Sequence, residues 1–138
     1  MWVHPEEVIV DSVLEFAVPA RIPEVGALRH AVDDFLLEST SEELRYKLML
    51  VVSELCTNAV EATQDPEAEV MLRVRDLGDA VVIEVEDTGP GFSAAIGRSG
   101  ASVSDERGRG LHVVTSLVDE LSVDRERGRT IVRCSVSK

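Results

Sequence analysis

Lysine is almost missing from this 138-residue chain: only Lys47 and Lys138 carry it, and arginine supplies the rest of 14 basic side chains set against 26 acidic ones. The resulting formal charge of −12 argues against a nucleic-acid surface, because such surfaces work by neutralising phosphates with Lys and Arg. Basic protein partners suit this composition better, although surplus carboxylates also serve simply to keep a domain soluble. Cysteine is equally sparse. Cys56 and Cys134 lack the close spacing of a zinc site or redox pair, so two reduced, partly buried thiols are expected and no disulfide. His4, His30 and His112 are scattered, and no cluster has the spacing of a preformed metal cage. Any metal should arrive with a ligand. No apolar run approaches the roughly 20 residues needed to span a bilayer. The N-terminal MWVHPEEVIV lacks the basic flank and apolar centre of a signal peptide. A cytoplasmic protein without a membrane partner is expected, forming a single domain over residues 1–138 around one core.

What is present is a clear succession of periodic segments. Val13 to Val18 is a short apolar-rich run ended by Pro19, which reads as a strand, and Pro23 suits the first turn of a helix. Val25, Leu28, Val32, Phe35 and Leu36 follow at helical spacing to about Glu38. Thr40 with Glu43 forms a candidate capping box for a second, longer helix from about Glu42 to Ala62. Its apolar stripe is Leu44, Leu48, Val51, Val52, Leu55 and Ala59, periodic enough to pack on a sheet. Two alternating strands come next, with Val70, Leu72 and Val74 on one face, then Val81, Ile83 and Val85 after a turn at Leu77-Gly78-Asp79. From Ser93 to Arg107 the pattern dissolves into Ser, Gly, Ala and charge, which predicts a mobile functional loop, a lid over about residues 93–107. Helical spacing returns from Gly110 to Leu121, and strands near Leu121 to Asp124 and Thr130 to Val136 flank a turn at Gly128. This order predicts an α+β two-layer sandwich, a mixed, mainly antiparallel sheet covered on one face by helices.

Three short motifs carry the chemistry: ELCTN at Glu54 to Asn58, DTGPG at Asp87 to Gly91, and ERGRGLHVV at Glu106 to Val114. Each alone is weak, and their order and spacing make the signal. Glu54 and Asn58 lie at i and i+4 on one helix face, beside the apolar stripe rather than within it. A carboxylate and an amide oxygen there suit Mg²⁺, which favours hard oxygen ligands and shares them with phosphates. Glu54 also suits general-base work on a hydroxyl. Asp87 follows a strand directly, and Gly89 and Gly91 let backbone approach a flat ligand. A carboxylate at that point can accept from the exocyclic amine of adenine, a group guanine lacks there. Gly108 and Gly110 bracket Arg109 at the start of a helix, aiming free N–H groups and the positive end of the helix dipole at phosphates. Arg107 and Arg109 add charge. The chain has no G-x-x-x-x-G-K-[ST] and no protein-kinase signature, so ATP must be held another way.

With these motifs in this order, the chain resembles the GHKL ATPase superfamily, whose Bergerat fold is shared by histidine kinases and type II topoisomerases. ELCTN resembles the N box, DTGPG the G1 box and ERGRGL the G2 box, while Gly128-Arg129-Thr130 fits a short G-x-T element. Within the superfamily the chain looks like the bacterial anti-sigma factor serine/threonine kinases. The resemblance implies an ATP-binding and Mg²⁺-dependent enzyme in which Asn58 binds the metal, Glu54 activates a partner serine and Asp87 recognises adenine. It also implies that Gly89, Gly91, Arg107, Gly108, Arg109, Gly110, Leu111 and Thr130 surround the nucleotide. The implied partners are a sigma factor and a STAS-domain anti-anti-sigma factor, exchanged by partner switching, with a homodimer as the expected assembly. Arg29 on the first helix is a candidate contact. Two departures stand out: Glu61-Ala62-Thr63 where many relatives carry a histidine, and Arg109 where a small or hydrophobic residue is common. Two other readings follow from the same motifs. One is an ATP-gated protein-binding regulator without kinase activity. The other is the catalytic domain of a histidine kinase working in trans.

Overall fold

A computed structural model of the chain describes residues 12–63, 65, 67–88 and 112–138. Among these, five strands form one sheet: β1 (Ser12–Pro19), β2 (Glu69–Asp76), β3 (Ala80–Asp87), β4 (Glu120–Glu126) and β5 (Arg129–Ser137). The spatial order is β1-β2-β3-β5-β4, and every neighbouring pair is antiparallel. Two helices, α1 (Ile22–Leu36) and α2 (Glu42–Thr63), pack on one face. A further helical stretch covers residues 112–117. The expected two-layer α+β arrangement is therefore present, with a sheet antiparallel throughout the described strands rather than mixed.

Strand alternation decides which face is covered. Val70, Leu72 and Val74 of β2, Val81, Ile83 and Val85 of β3, and Val132, Cys134 and Val136 of β5 are all buried. They meet Val25, Leu28, Val32 and Leu36 of α1 and Leu48, Val51, Val52, Leu55 and Ala59 of α2. Each such side chain contributes roughly 1.5–3 kcal/mol on leaving water, so this single layer supplies the main drive to fold. The opposite face is charged. Glu15, Arg73, Glu84 and Arg133 stand in one register row across β1, β2, β3 and β5. Arg73 reaches Glu15 at 2.6 Å and Glu84 at 3.3 Å, and Arg133 pairs with Glu84 as well. Alternating signs at adjacent positions avoid the cost of like charges directly opposed.

The hairpin turns follow from local chemistry. Between β4 and β5, Arg127 and Gly128 have φ of 54° and 78°, the two positive values a two-residue type I′ turn requires. Between β2 and β3, Gly78 takes φ 92° and donates its N–H to Asp76 Oδ1 at 3.0 Å. The helix junction differs in one detail from the sequence expectation. The α2 cap is Ser41, whose Oγ accepts the Leu44 N–H at 3.2 Å, rather than Thr40 with Glu43. The Thr40 carbonyl is instead held by Arg45, which donates to it at 2.7 Å, to the Leu37 carbonyl at 3.3 Å and to Asp33 at 3.0 Å. A cation at the end of α1 satisfies carbonyls that have no partner inside the helix.

Candidate functional site

The site residues divide between the helix α2 and the far ends of two central strands. On α2, Glu54 is half-buried and Asn58, one turn later, is buried at 3% exposure. Asn58 thus lies within the packed face of α2 and not beside it, flanked by buried Leu55, Cys56 and Ala59. Among the described residues its Nδ2 has no hydrogen-bond partner. An orphaned buried amide costs about 1–3 kcal/mol, a penalty that a bound polar ligand would remove. The surroundings are strongly desolvating, since burial pushes the Cys56 thiol up to about 12.

At the strand ends, Asp87 closes β3 and Thr130 opens β5, and the two are Cα partners. Both side chains are buried, at 1% and 0% exposure. The register continues to Arg125 on β4, whose Nη1 donates to Thr130 Oγ1 at 2.9 Å. Arg125 went unmarked in the sequence, yet a signal was there. It continues the period-2 line of Leu121 and Val123, so the alternation aligns an exposed arginine with the side of the sheet that carries Thr130.

Asp87 itself lines a hollow of about 420 Å³, together with Glu67, Glu69, Met71, Glu86, Thr88 and Arg129. Arg129 is already paired with Glu86 at 2.7 Å. The remaining carboxylates there would repel a polyphosphate. A larger hollow of about 480 Å³ lies between α1 and α2, lined by residues that include Arg29, His30, Asp33 and Tyr46. None of the candidate nucleotide residues lines it. Arg29 itself is exposed and reaches Ser53 Oγ at 3.3 Å.

The described residues fit Mg²⁺ only as a shared ion. No group of three His, Cys, Asp or Glu side chains among them could hold a metal. Turning the Asn58 amide over exchanges Nδ2 for Oδ1 at no steric cost, giving one hard oxygen ligand and leaving the others to phosphates and water. Gly89, Gly91, Arg107, Gly108, Arg109, Gly110, Leu111 and the lid at 93–107 lie outside the described residues. No helix among the described residues is long and apolar enough to cross a membrane.

The fold agrees with comparison to known proteins. Residues 18–136 match the histidine kinase-like ATPase domain, and the chain belongs to that family. It is similar to the serine-protein kinase RsbW of Bacillus subtilis, 30% identical over 131 residues that cover 86% of this chain and 81% of that protein. It is also similar to the sensor protein CitS of the same organism, 38% identical over 80 residues, or 54% of this chain and 15% of that one. Among solved structures, the RsbU and RsbW domains of a Mycobacterium tuberculosis protein superpose with a TM-score of 0.66 at 19% identity, covering 91% of this chain and 32% of that one. The resemblance to GHKL anti-sigma kinases read from the three motifs therefore holds, and with it an ATP-binding, kinase-type domain.

Proposed function

We propose that this protein is an ATP- and Mg²⁺-dependent serine/threonine kinase that also restrains a sigma factor, and that it phosphorylates a STAS-domain anti-anti-sigma antagonist. The observation that carries this reading is Asn58, buried one helical turn beyond Glu54 with an amide nitrogen that has no partner among the described residues. Similarity to the serine-protein kinase RsbW over most of both chains supports the choice of serine as acceptor. A cytoplasmic homodimer of this single domain is part of the same proposal.

In this reading Asp87 accepts from the exocyclic amine of adenine and Thr130 supplies a second polar contact to the base. Asn58 would hold Mg²⁺ by its amide oxygen. The metal supplies neutralisation of charge on the phosphoryl group being transferred. The glycines of the second and third motifs approach the nucleotide through backbone, and Arg107, Arg109 and Leu111 border it. Glu54 takes the proton from the partner's serine hydroxyl. The serine oxygen bonds to the γ-phosphorus as the bond to the β–γ bridging oxygen breaks, and ADP leaves.

Charge then favours release. The new phosphate adds close to two negative charges at neutral pH, facing a protein of net −12, so phosphorylation weakens the complex that performed it. The freed kinase returns to the sigma factor.

The test is γ-phosphate transfer from labelled Mg-ATP to STAS-domain proteins of the source organism, wild type beside Glu54→Gln. Serine labelling by wild type alone is expected, with transfer by the variant reduced by a factor on the order of 10²–10⁴. Absence of labelling with ATP binding intact would replace the kinase with an ATP-gated binding regulator.

A further inference from the structure

Three residues from three strands stand in one register row on the helix-covered face: Asp87 on β3, Thr130 on β5 and Arg125 on β4. The proposed function uses the first two. The third makes a contact whose direction is settled by chemistry. A guanidinium has only donors, so in the 2.9 Å bond from Arg125 Nη1 the Thr130 oxygen is the acceptor. A threonine hydroxyl has one hydrogen of its own and rotates to suit its neighbours. With a cation donating from the β4 side, that hydrogen turns away from Arg125.

This matters because a hydroxyl free to rotate can serve a base as donor or as acceptor and so discriminates little. Adenine presents a donor, its exocyclic amine, next to an acceptor, ring N1. Guanine presents the reverse, an acceptor O6 next to a donor N1–H. A carboxylate at Asp87 that can only accept, beside a Thr130 hydroxyl whose hydrogen is turned away from Arg125 and so offered as a donor, complements the adenine order better than the guanine order.

We infer that Arg125 is a positioning residue for base selection, holding the Thr130 hydroxyl as a donor and so setting the preference for adenine over guanine nucleotides. The inference rests on the proposed nucleotide reading of Asp87 and Thr130. Arg125 acts through Thr130 and needs no contact with the ligand. Its exposed position on an edge strand lets it be exchanged without disturbing the core.

The test is calorimetric titration of ATP and GTP against wild type, Arg125→Ala, Arg125→Lys, Thr130→Val, the Arg125→Ala/Thr130→Val double variant and Asp87→Asn, each checked by thermal melting. Arg125→Ala is expected to weaken ATP binding about 5- to 10-fold, the net worth of one hydrogen bond, while GTP binding weakens less. Arg125→Lys restores part of the loss because an ammonium also donates. In the Thr130→Val background, Arg125→Ala adds nothing, since the hydroxyl it orients is gone. An equal loss in both backgrounds would show that Arg125 acts on the ligand directly and would overturn the inference. So would equal losses for ATP and GTP, or wild-type ATP binding by Arg125→Ala in a protein whose Asp87→Asn variant loses it. Wild-type ATP binding by Asp87→Asn would instead remove the base site itself, and this inference with it.

Discussion

Asp87 and Thr130 face each other as Cα partners across the β3–β5 ladder, both buried, with the Thr130 hydroxyl held by Arg125 from the neighbouring strand. A carboxylate and a hydroxyl at the end of an otherwise aliphatic face do nothing for the apolar core, and burying a carboxylate is costly unless it is well partnered. In the proposed function their value is recognition of the base. Asp87→Asn should weaken ATP binding by on the order of 1–3 kcal/mol, the worth of a hydrogen bond to a charged acceptor. Isothermal titration checks it, and unchanged affinity would take Asp87 out of the site.

Asn58 carries the opposite balance of stability and function. Its orphaned Nδ2 is a liability to the free protein, so Asn58→Leu should hold or raise stability, by up to about 1–3 kcal/mol. The same change removes the side-chain amide oxygen of Asn58, and the Mg²⁺ dependence of ATP binding should vanish. Urea melts and ATP titrations with and without Mg²⁺ measure the two effects separately. A large loss of stability would mean that the amide is held in the free protein after all.

Asp76 ties the β2–β3 turn to the α1–α2 junction and to the end of β5. Ser39 Oγ donates to Oδ2 at 2.6 Å, and Lys138 Nζ and the Gly78 N–H reach Oδ1 at 2.9 and 3.0 Å. Burial pushes its carboxyl up, but the hydrogen bonds from Ser39, Lys138 and Gly78 together outweigh burial and hold it below the ordinary carboxylate range. A depressed folded value means the stabilisation is complete above the unfolded value, about 4 for Asp, and is lost as pH falls through the folded one. Urea midpoints should therefore drop below about pH 4, and Asp76→Asn should flatten that drop while lowering stability at neutral pH. An identical acid profile in the variant would assign the transition to other carboxylates.

Cys56 and Cys134 are free and buried, and burial pushes both thiols up to about 12. The thiolate is the reactive form, so neither should react with an alkylating reagent at pH 8 in the native state, and both should react in denaturant. Rapid native labelling of Cys56 would reveal opening of α2 beside Asn58.

Much of this architecture was legible from residue spacing. Alternation marked Val70, Leu72, Val74, Val81, Ile83 and Val85 as one covered face, and helical spacing marked Leu48, Val51, Val52 and Leu55; all are buried. These signals are local, since a strand or helix period reads out within a few residues. The three motifs were equally visible, and the family match over residues 18–136 agrees with them.

The sequence by itself determined the elements, their apolar faces, the turns at Gly78 and Gly128 and the family of the domain, because each depends on residues near one another in the chain. Only the tertiary structure decided the strand order β1-β2-β3-β5-β4, the burial of Asn58 and the row that joins Asp87, Thr130 and Arg125. Those depend on which faces meet. Pairing β5 between β3 and β4 brings together side chains that no local period connects, and the shared apolar layer beneath α1 and α2 sets the register in which they meet.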